Sequence, residues 1–301
     1  MTGREKRDLR NALLFISPWI IGFSVFVAYP FLASLYYSFC DYNIFEAPVF
    51  SGLSNFAFIL RDPVFWKALF NTLFYAALSI PLCFIVAFTL ALLLNAKVAG
   101  QSVYRVIFYL PSLVPLVALS ILWLWMFNGE YGIINHFLAA VGVSRPPNWL
   151  HDVRFAKLAI VFVGLWTLGQ SVVIYLAALQ EVPRALLEAA EIDGARWHHK
   201  IRYVVLPSVS PAVLFNVLMG IIWSFQVFTV PYVMTLGATS GQTAGGPARS
   251  TTFYVMYLYQ QSFENFRMGV ASAMAWILFI IIFGLTLAIN RISEKNVYYM
   301  E

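Results

Sequence analysis

The sequence predicts an all-α membrane protein of six transmembrane helices, and three observations carry that prediction. Charged residues make up 11% of the chain and hydrophobic residues 61%, against about 25% and roughly 45–50% in soluble domains. With a mean hydropathy of +0.76, the chain has too little charge to keep a globule of 301 residues in solution, and it is too apolar to be disordered. Six uncharged intervals, 11–40, 68–96, 106–129, 158–180, 203–248 and 268–290, are each long enough for the about 20 apolar residues of a helical crossing. None shows the short alternation of an outer-membrane barrel, so helices are the way the backbone is satisfied in lipid.

Taken in order, the predicted spans are 12–39, 68–95, 106–128, 158–180, 206–235 and 268–290, within a single transmembrane domain over 1–301. The first follows a basic start, as a signal peptide does, but it is too long for an h-region and no Ala-x-Ala site closes it, so it is read as a retained helix. The connections over 39–66 and 128–154 are rich in Pro and aromatic residues, and 131–141 reads as a short interfacial helix. The fifth interval is too long for one helix; its second half, 237–248, is a Gly/Thr/Ser-rich loop. Cys40 and Cys83 lie in or at the end of apolar runs, and a disulfide between them is not expected.

Twelve of the 19 basic residues fall on the face that holds both termini: Arg4, Lys6, Arg7, Arg10, Lys97, Arg105, Arg184, Arg196, Lys200, Arg202, Arg291 and Lys295. Excess Lys and Arg marks cytoplasmic loops, so both termini are expected inside the cell. The same rule accounts for the net charge of +5 without nucleic acid. No Asp, Glu, Lys, Arg or His lies within the six predicted spans. A proton- or ion-coupled carrier, or an intramembrane hydrolase, needs such groups there, so any energy for transport enters elsewhere.

The segment 181–207 is where it can enter. Pro183 suits a helix start, 184–192 consists of good helix formers, and Asp193-Gly194 marks a turn in which Gly takes the left-handed conformation. A second short helix leads to Leu206-Pro207. Leu186, Leu187 and Ala190, at three- and four-residue spacing, predict an apolar ridge on a helix-turn-helix knob facing the cytoplasm. His198-His199 cannot face one metal site on a helix and lack cysteine neighbours, so no metal is expected. Asp193-Gly194-Ala195-Arg196 is a compressed form of the start of a phosphatidyl-transferase motif, which keeps a membrane-embedded transferase as the alternative function and a structural anchor as a third.

Glu188-Ala189-Ala190, Gly194 and Leu206-Pro207 together resemble the EAA loop of ATP-binding-cassette importer permeases. The likeness runs over nearly the whole chain: Pro18, Tyr29-Pro30, Phe65-Trp66, Asn71-Thr72, Leu92-Leu93-Leu94-Asn95, Tyr104-Arg105, Leu110-Pro111, Tyr131-Gly132, Phe225-Gln226-Val227-Phe228 and Gly245-Gly246-Pro247. It is similar to the MalF/UgpA-type permease subunit of carbohydrate importers. His199 and Ile201 stand where that loop more often has Gln and Phe, and 236–244 looks expanded. The resemblance implies a type I importer permease fold with a cytoplasmic coupling helix, in which Glu188, Ala189, Ala190, Asp193 and Gly194 couple to an ATPase. It implies a second homologous permease, two ATPase subunits carrying ATP and Mg, an extracytoplasmic solute-binding protein and a prokaryotic cell membrane location. It implies no catalysis and no cofactor in this chain, which has no Gly-x-x-x-x-Gly-Lys-Ser/Thr phosphate loop.

Spans four and five flank the knob, and both carry uncharged polar groups near mid-depth. Gln170 lies about ten residues before the end of span four, roughly 15 Å at the helical rise, with Trp166 one turn away on the same face. Ser224 and Gln226 follow Trp223 in span five. Amides and hydroxyls beside aromatic faces suit a sugar, so these five residues form the expected solute path. The expected solute is an oligosaccharide or a related polyol or glycerophosphodiester.

Overall fold

The computed structural model describes residues 3–96, 100–236, 245–294 and 297. Lys97, Lys295 and the loop 237–244 lie outside the described residues. By packing, the chain divides into two compact units: one holds the chain up to Asp62 with Leu258–Phe279, the other Pro63–Tyr257 with the chain from Ile280.

In the first unit, α1 (Gly3–Phe23) runs through a π-helical turn, Ser24–Ala28, into α2 (Tyr29–Ser38). The wide turn answers a chemical problem, because Pro30 has no N–H and its ring would strike the carbonyl four residues back. Tyr29 N–H instead reaches the Ser24 carbonyl, five residues back. The same device recurs at Leu206-Pro207, where Leu206 N–H reaches the Ile201 carbonyl at the end of the π turn Ile201–Val205. A two-residue antiparallel ladder, β1 (Cys40–Asp41) with β2 (Val49–Phe50), follows α2, then α3 (Ser54–Arg61). Asn55 on α3 closes the end of α2 by donating to the carbonyls of Ser38 (2.9 Å) and Cys40 (2.8 Å).

The second unit is organised on α4 (Pro63–Asn95), a 33-residue helix about 50 Å long. Its buried face alternates small residues, Ala68, Ala76, Ala87 and Ala91, with Phe65, Tyr75 and Phe88, which lets neighbouring helices approach closely. Next come α5 (Gln101–Tyr109), a 3₁₀ turn (Leu110–Leu113), α6 (Leu116–Met126) and α7 (Ile133–Ala140). The pair α8 (Ala156–Trp166) and α9 (Gly169–Glu181) returns along α4, with the Tyr175 ring edge-on to Phe84 and Phe88. After the knob, α12 (Leu206–Ser208), α13 (Ser210–Phe225) and α14 (Thr229–Leu236) follow within the fifth interval, then α15 (Tyr254–Tyr259) and α16 (Met268–Ser293), of which Leu258–Phe279 belongs to the first unit and the rest to the second.

Among the described residues, four stretches of helix are long and apolar enough to cross a membrane, and six are if each of two bent pairs is one span. The bends are departures from the straight spans expected over 106–128 and 158–180. The first pair meets at 98° because Pro111 and Pro115 remove two donors and Val114 is extended (ψ 129°). The second bends by 49° at Thr167, where ψ is 22°. Gly169 makes that bend possible: a Cβ there would lie 2.8 Å from the Phe108 carbonyl oxygen.

Candidate functional site

The helix expected from Pro183 and Gly194 is α10 (Arg184–Ile192), with the bounds read from sequence. Pro183 precedes it in an extended conformation (ψ 126°). It ends in a Schellman closure: Gly194 sits at φ +74°, its N–H donates to the Glu191 carbonyl (3.0 Å), and Ala195 N–H donates to the Ala190 carbonyl (2.9 Å). The chain restarts as α11 (Trp197–Lys200) from an extended Arg196. Lys200 Nζ reaches back to Glu191 Oε1 at 2.6 Å and ties the two helices together.

The expected apolar ridge is split. Leu187 and Ala190 are half-buried and face the body of the unit, Leu187 against the cluster that holds Val182 and Val205. Leu186, Ile192 and Trp197 face outward, Ile192 87% and Trp197 73% exposed. Glu188, Ala189, Asp193 and Gly194 are exposed as well. Asp193 and Gly194 serve as a helix end, which gives the transferase alternative no site. The knob therefore presents a mixed apolar and acidic face on a fixed turn, and leaving large apolar groups in water costs about 1.5–3 kcal/mol each.

The α4 end near Leu94 shares a cluster with Val182 and Val205 beside the knob, so α8 enters from the opposite end and α9 runs toward the knob. Trp166 closes α8 and Gln170 is the second residue of α9, near the middle of this bent pair. The break at Thr167 and Leu168 lies between them, so the uninterrupted helical register that would place them on one face does not hold. Both are exposed, Trp166 edge-on to the buried Trp123 at 5.5 Å. Trp223 is 68% exposed, and Gln226 caps the end of α13, its N–H donating to the Trp223 carbonyl (3.2 Å) and its side chain exposed. Ser224 differs from these four: it is buried, with its Oγ 3.4 Å from Ser79 Oγ of α4, where it joins two helices. Among the described residues no three His, Cys, Asp or Glu converge as a metal site would require.

One polar centre has no counterpart among the residues singled out for chemistry. Asn71, quoted above only for its resemblance, is 1% exposed on α4 at the end away from the knob. Its Nδ2 donates to the carbonyls of Arg249 (3.0 Å) and Thr252 (2.9 Å), and its Oδ1 accepts from Lys157 Nζ (3.2 Å). Beside it, Thr72 Oγ1 accepts from Tyr254 N–H (2.9 Å). The clamp holds the segment after Gly245-Gly246-Pro247, in which Ala248 and Arg249 take positive φ of 50° and 57°. A polar pair inside an otherwise apolar run was the signal available in the sequence.

Apolar helices paired about a long central one, with a two-helix knob at one end and uncharged polar and aromatic groups at mid-length, define a multi-pass membrane permease of the type I importer class. More particularly, the chain belongs to the family of binding-protein-dependent transport system inner membrane components, whose family model matches residues 79–297. It is 36% identical over 296 residues to the probable ABC transporter permease protein YesP of Bacillus subtilis (strain 168), covering 98% of this chain and 94% of that one. It is 35% identical over 257 residues to the lactose transport system permease protein LacF of Rhizobium radiobacter, covering 84% of each. Its fold matches a chain of the bacterial alginate ABC transporter in complex with alginate pentasaccharide-bound periplasmic protein, at a TM-score of 0.82, 22% identity and 96% coverage of both chains. The expected all-α fold and the resemblance to carbohydrate-importer permeases hold. The chain is the membrane component, and a separate subunit hydrolyses ATP in such systems.

Proposed function

We infer that this chain is one half of a two-permease pore that imports an oligosaccharide or a related polyol or glycerophosphodiester, driven by two ATPase subunits that bind ATP and Mg. An extracytoplasmic binding protein delivers the solute at the end away from the knob. The observation that carries this reading is the knob itself, a Schellman-closed turn with Ile192 and Trp197 held outward at the end of the bent pair that bears Trp166 and Gln170. One knob serves one ATPase, so closed two-fold assembly calls for a second permease. The solute class is supported by the lactose system of the relative LacF and by the uncharged path residues. Trp166, Gln170, Trp223 and Gln226 are the groups we assign to solute, with Ser224 supporting the helix that carries two of them.

Loss of an amide that meets solute is worth about 1 kcal/mol or more. Gln170→Ala and Gln226→Ala are therefore expected to raise the half-saturating solute in transport assays by about fivefold or more, with assembly and basal ATP hydrolysis kept. Unchanged transport at limiting solute in both variants, or loss of assembly in both, returns these residues to packing.

The knob face and both termini are assigned to the cytoplasm, and Asp152 and Gln242 to the outside; Gln242 lies outside the described residues. Because Cys40 is buried and Cys83 partly so, background labelling is low. A cysteine at position 152 is expected to react with an impermeant thiol reagent in intact cells and one at 188 only after lysis. Labelling at 188 from outside reverses the orientation.

A further inference from the structure

A cavity of about 280 Å³ opens where α6 ends and the 128–154 connection begins, at the end away from the knob. Its floor is apolar, with Phe127 and Leu150 both 3% exposed. Its walls are polar and aromatic: Trp125, Tyr131, Asn128, Asn148 and His151. Small-molecule pockets begin at roughly 300 Å³, so the volume suits one monosaccharide ring and not a chain.

The cavity is held open by its own scaffold. Asn128 Oδ1 accepts the N–H groups of Glu130 (2.9 Å) and Tyr131 (3.1 Å). Asn135 donates to the carbonyls of Gly129 (3.1 Å) and Pro147 (3.2 Å) and accepts from Trp149 Nε1 (2.7 Å), which staples the two sides of the connection. Gly132 is required for this closeness, because a Cβ there would lie 2.6 Å from the Met126 carbonyl oxygen. On the rim, His151 Nδ1 is 3.0 Å from Asn148 Oδ1.

The lining holds no Asp, Glu, Lys or Arg; of the charges beside it in sequence, Glu130 is itself an anion and Asp152 pairs with Arg154 at 3.4 Å. A phosphate, sulfonate or uronate would find no counter-charge here. Amides and an imidazole can both donate to and accept from hydroxyls, and the exposed indole and phenol offer flat faces to ring C–H groups.

We propose that this cavity is an outer subsite for one neutral monosaccharide unit, which receives an end of the solute before it enters the path between the spans. The proposal rests on the carbohydrate reading above and narrows it to neutral sugars. It places Trp125 as the stacking face and the Asn128 and Asn148 amides as the groups that orient ring hydroxyls.

The test uses the whole complex in nanodiscs, without binding protein, and saturation-transfer NMR with methyl β-D-glucopyranoside, methyl β-D-galactopyranoside and sn-glycerol 3-phosphate as probes. Transfer to at least one neutral glycoside and none to sn-glycerol 3-phosphate is expected. Trp125→Leu and Asn148→Leu, both at exposed positions, should weaken it about tenfold. No transfer to either glycoside, stronger transfer to the phosphate, or a signal that survives both pocket substitutions overturns the subsite. Stimulation of ATP hydrolysis by sugar-loaded binding protein is measured in the same nanodiscs. Stimulation without pocket binding removes the subsite alone, and the absence of stimulation by any carbohydrate removes the carbohydrate reading on which it rests.

Discussion

Replacing Asn71 with leucine is expected to destabilise the permease by roughly 3–5 kcal/mol. The substitution keeps the branched shape and the number of heavy atoms, with a larger volume, and removes three hydrogen bonds at once. Two carbonyls, of Arg249 and Thr252, lose their donor, at about 1–3 kcal/mol for each group left buried and unpaired. The Lys157 ammonium loses its acceptor and keeps only the faces of Phe70 and Phe74, at 5.5 and 4.7 Å; a hydrogen bond to a charged group is worth about 1.5–3 kcal/mol. Asn71→Asp separates the two parts, because its carboxylate still accepts from Lys157 but cannot donate to the carbonyls. Thermal unfolding of the reconstituted complex should rank the parent above Asn71→Asp and that above Asn71→Leu, and proteolysis should cut first near 245–252 in the variants. A midpoint for Asn71→Leu within a degree of the parent would show that the clamp adds nothing to stability.

How much of this was legible in the sequence depends on how local each determinant is. The helix Arg184–Ile192 was read to its ends because both stops are local chemistry, Pro183 before it and Gly194 after it. The apolar intervals were legible because charge is excluded from lipid whatever the tertiary structure. The bends within two of them were not, since hydropathy averages straight across Thr167 and Val114; Pro111 and Pro115 gave the better warning. The Asn71 clamp joins residues 178 and 181 positions apart, a pairing that no local pattern encodes. Ser224 looked like a pore residue because it neighbours Trp223, yet one residue is 100° of helix, and that turns it toward Ser79. Leu186 and Leu187 both stand at three- or four-residue spacing from Ala190, yet they are 100° apart on the helix, and only Leu187 packs against the body of the unit.

The coupling segment carries the other large effect, and Gly194 allows a test that separates backbone from contact. Among the described residues, a Cβ at this position meets no atom beyond its two chain neighbours within 4 Å, although the backbone stands at φ +74°. A substitution here therefore costs only what the left-handed conformation costs, about 1–2 kcal/mol for an ordinary side chain, more for a β-branched one and less for Asn. If the turn transmits ATPase closure by holding α10 and α11 at a fixed angle, activity should follow that conformational scale and not side-chain size. The expected order of binding-protein-stimulated ATP hydrolysis is Gly194, then Gly194→Asn, then Gly194→Ala, then Gly194→Val, with the last reduced about tenfold or more while the chain remains inserted. Glu188→Lys acts differently, since Glu188 is exposed on the presented face and reversing its charge should weaken ATPase association without disturbing the turn. Co-purification of the ATPase reports the second effect, and stimulated hydrolysis in complexes that do assemble reports the first. Should Gly194→Val and Glu188→Lys both assemble with their own ATPase and transport at parental rates, α10 is a connecting helix and the motion of the ATPase reaches the spans by another route.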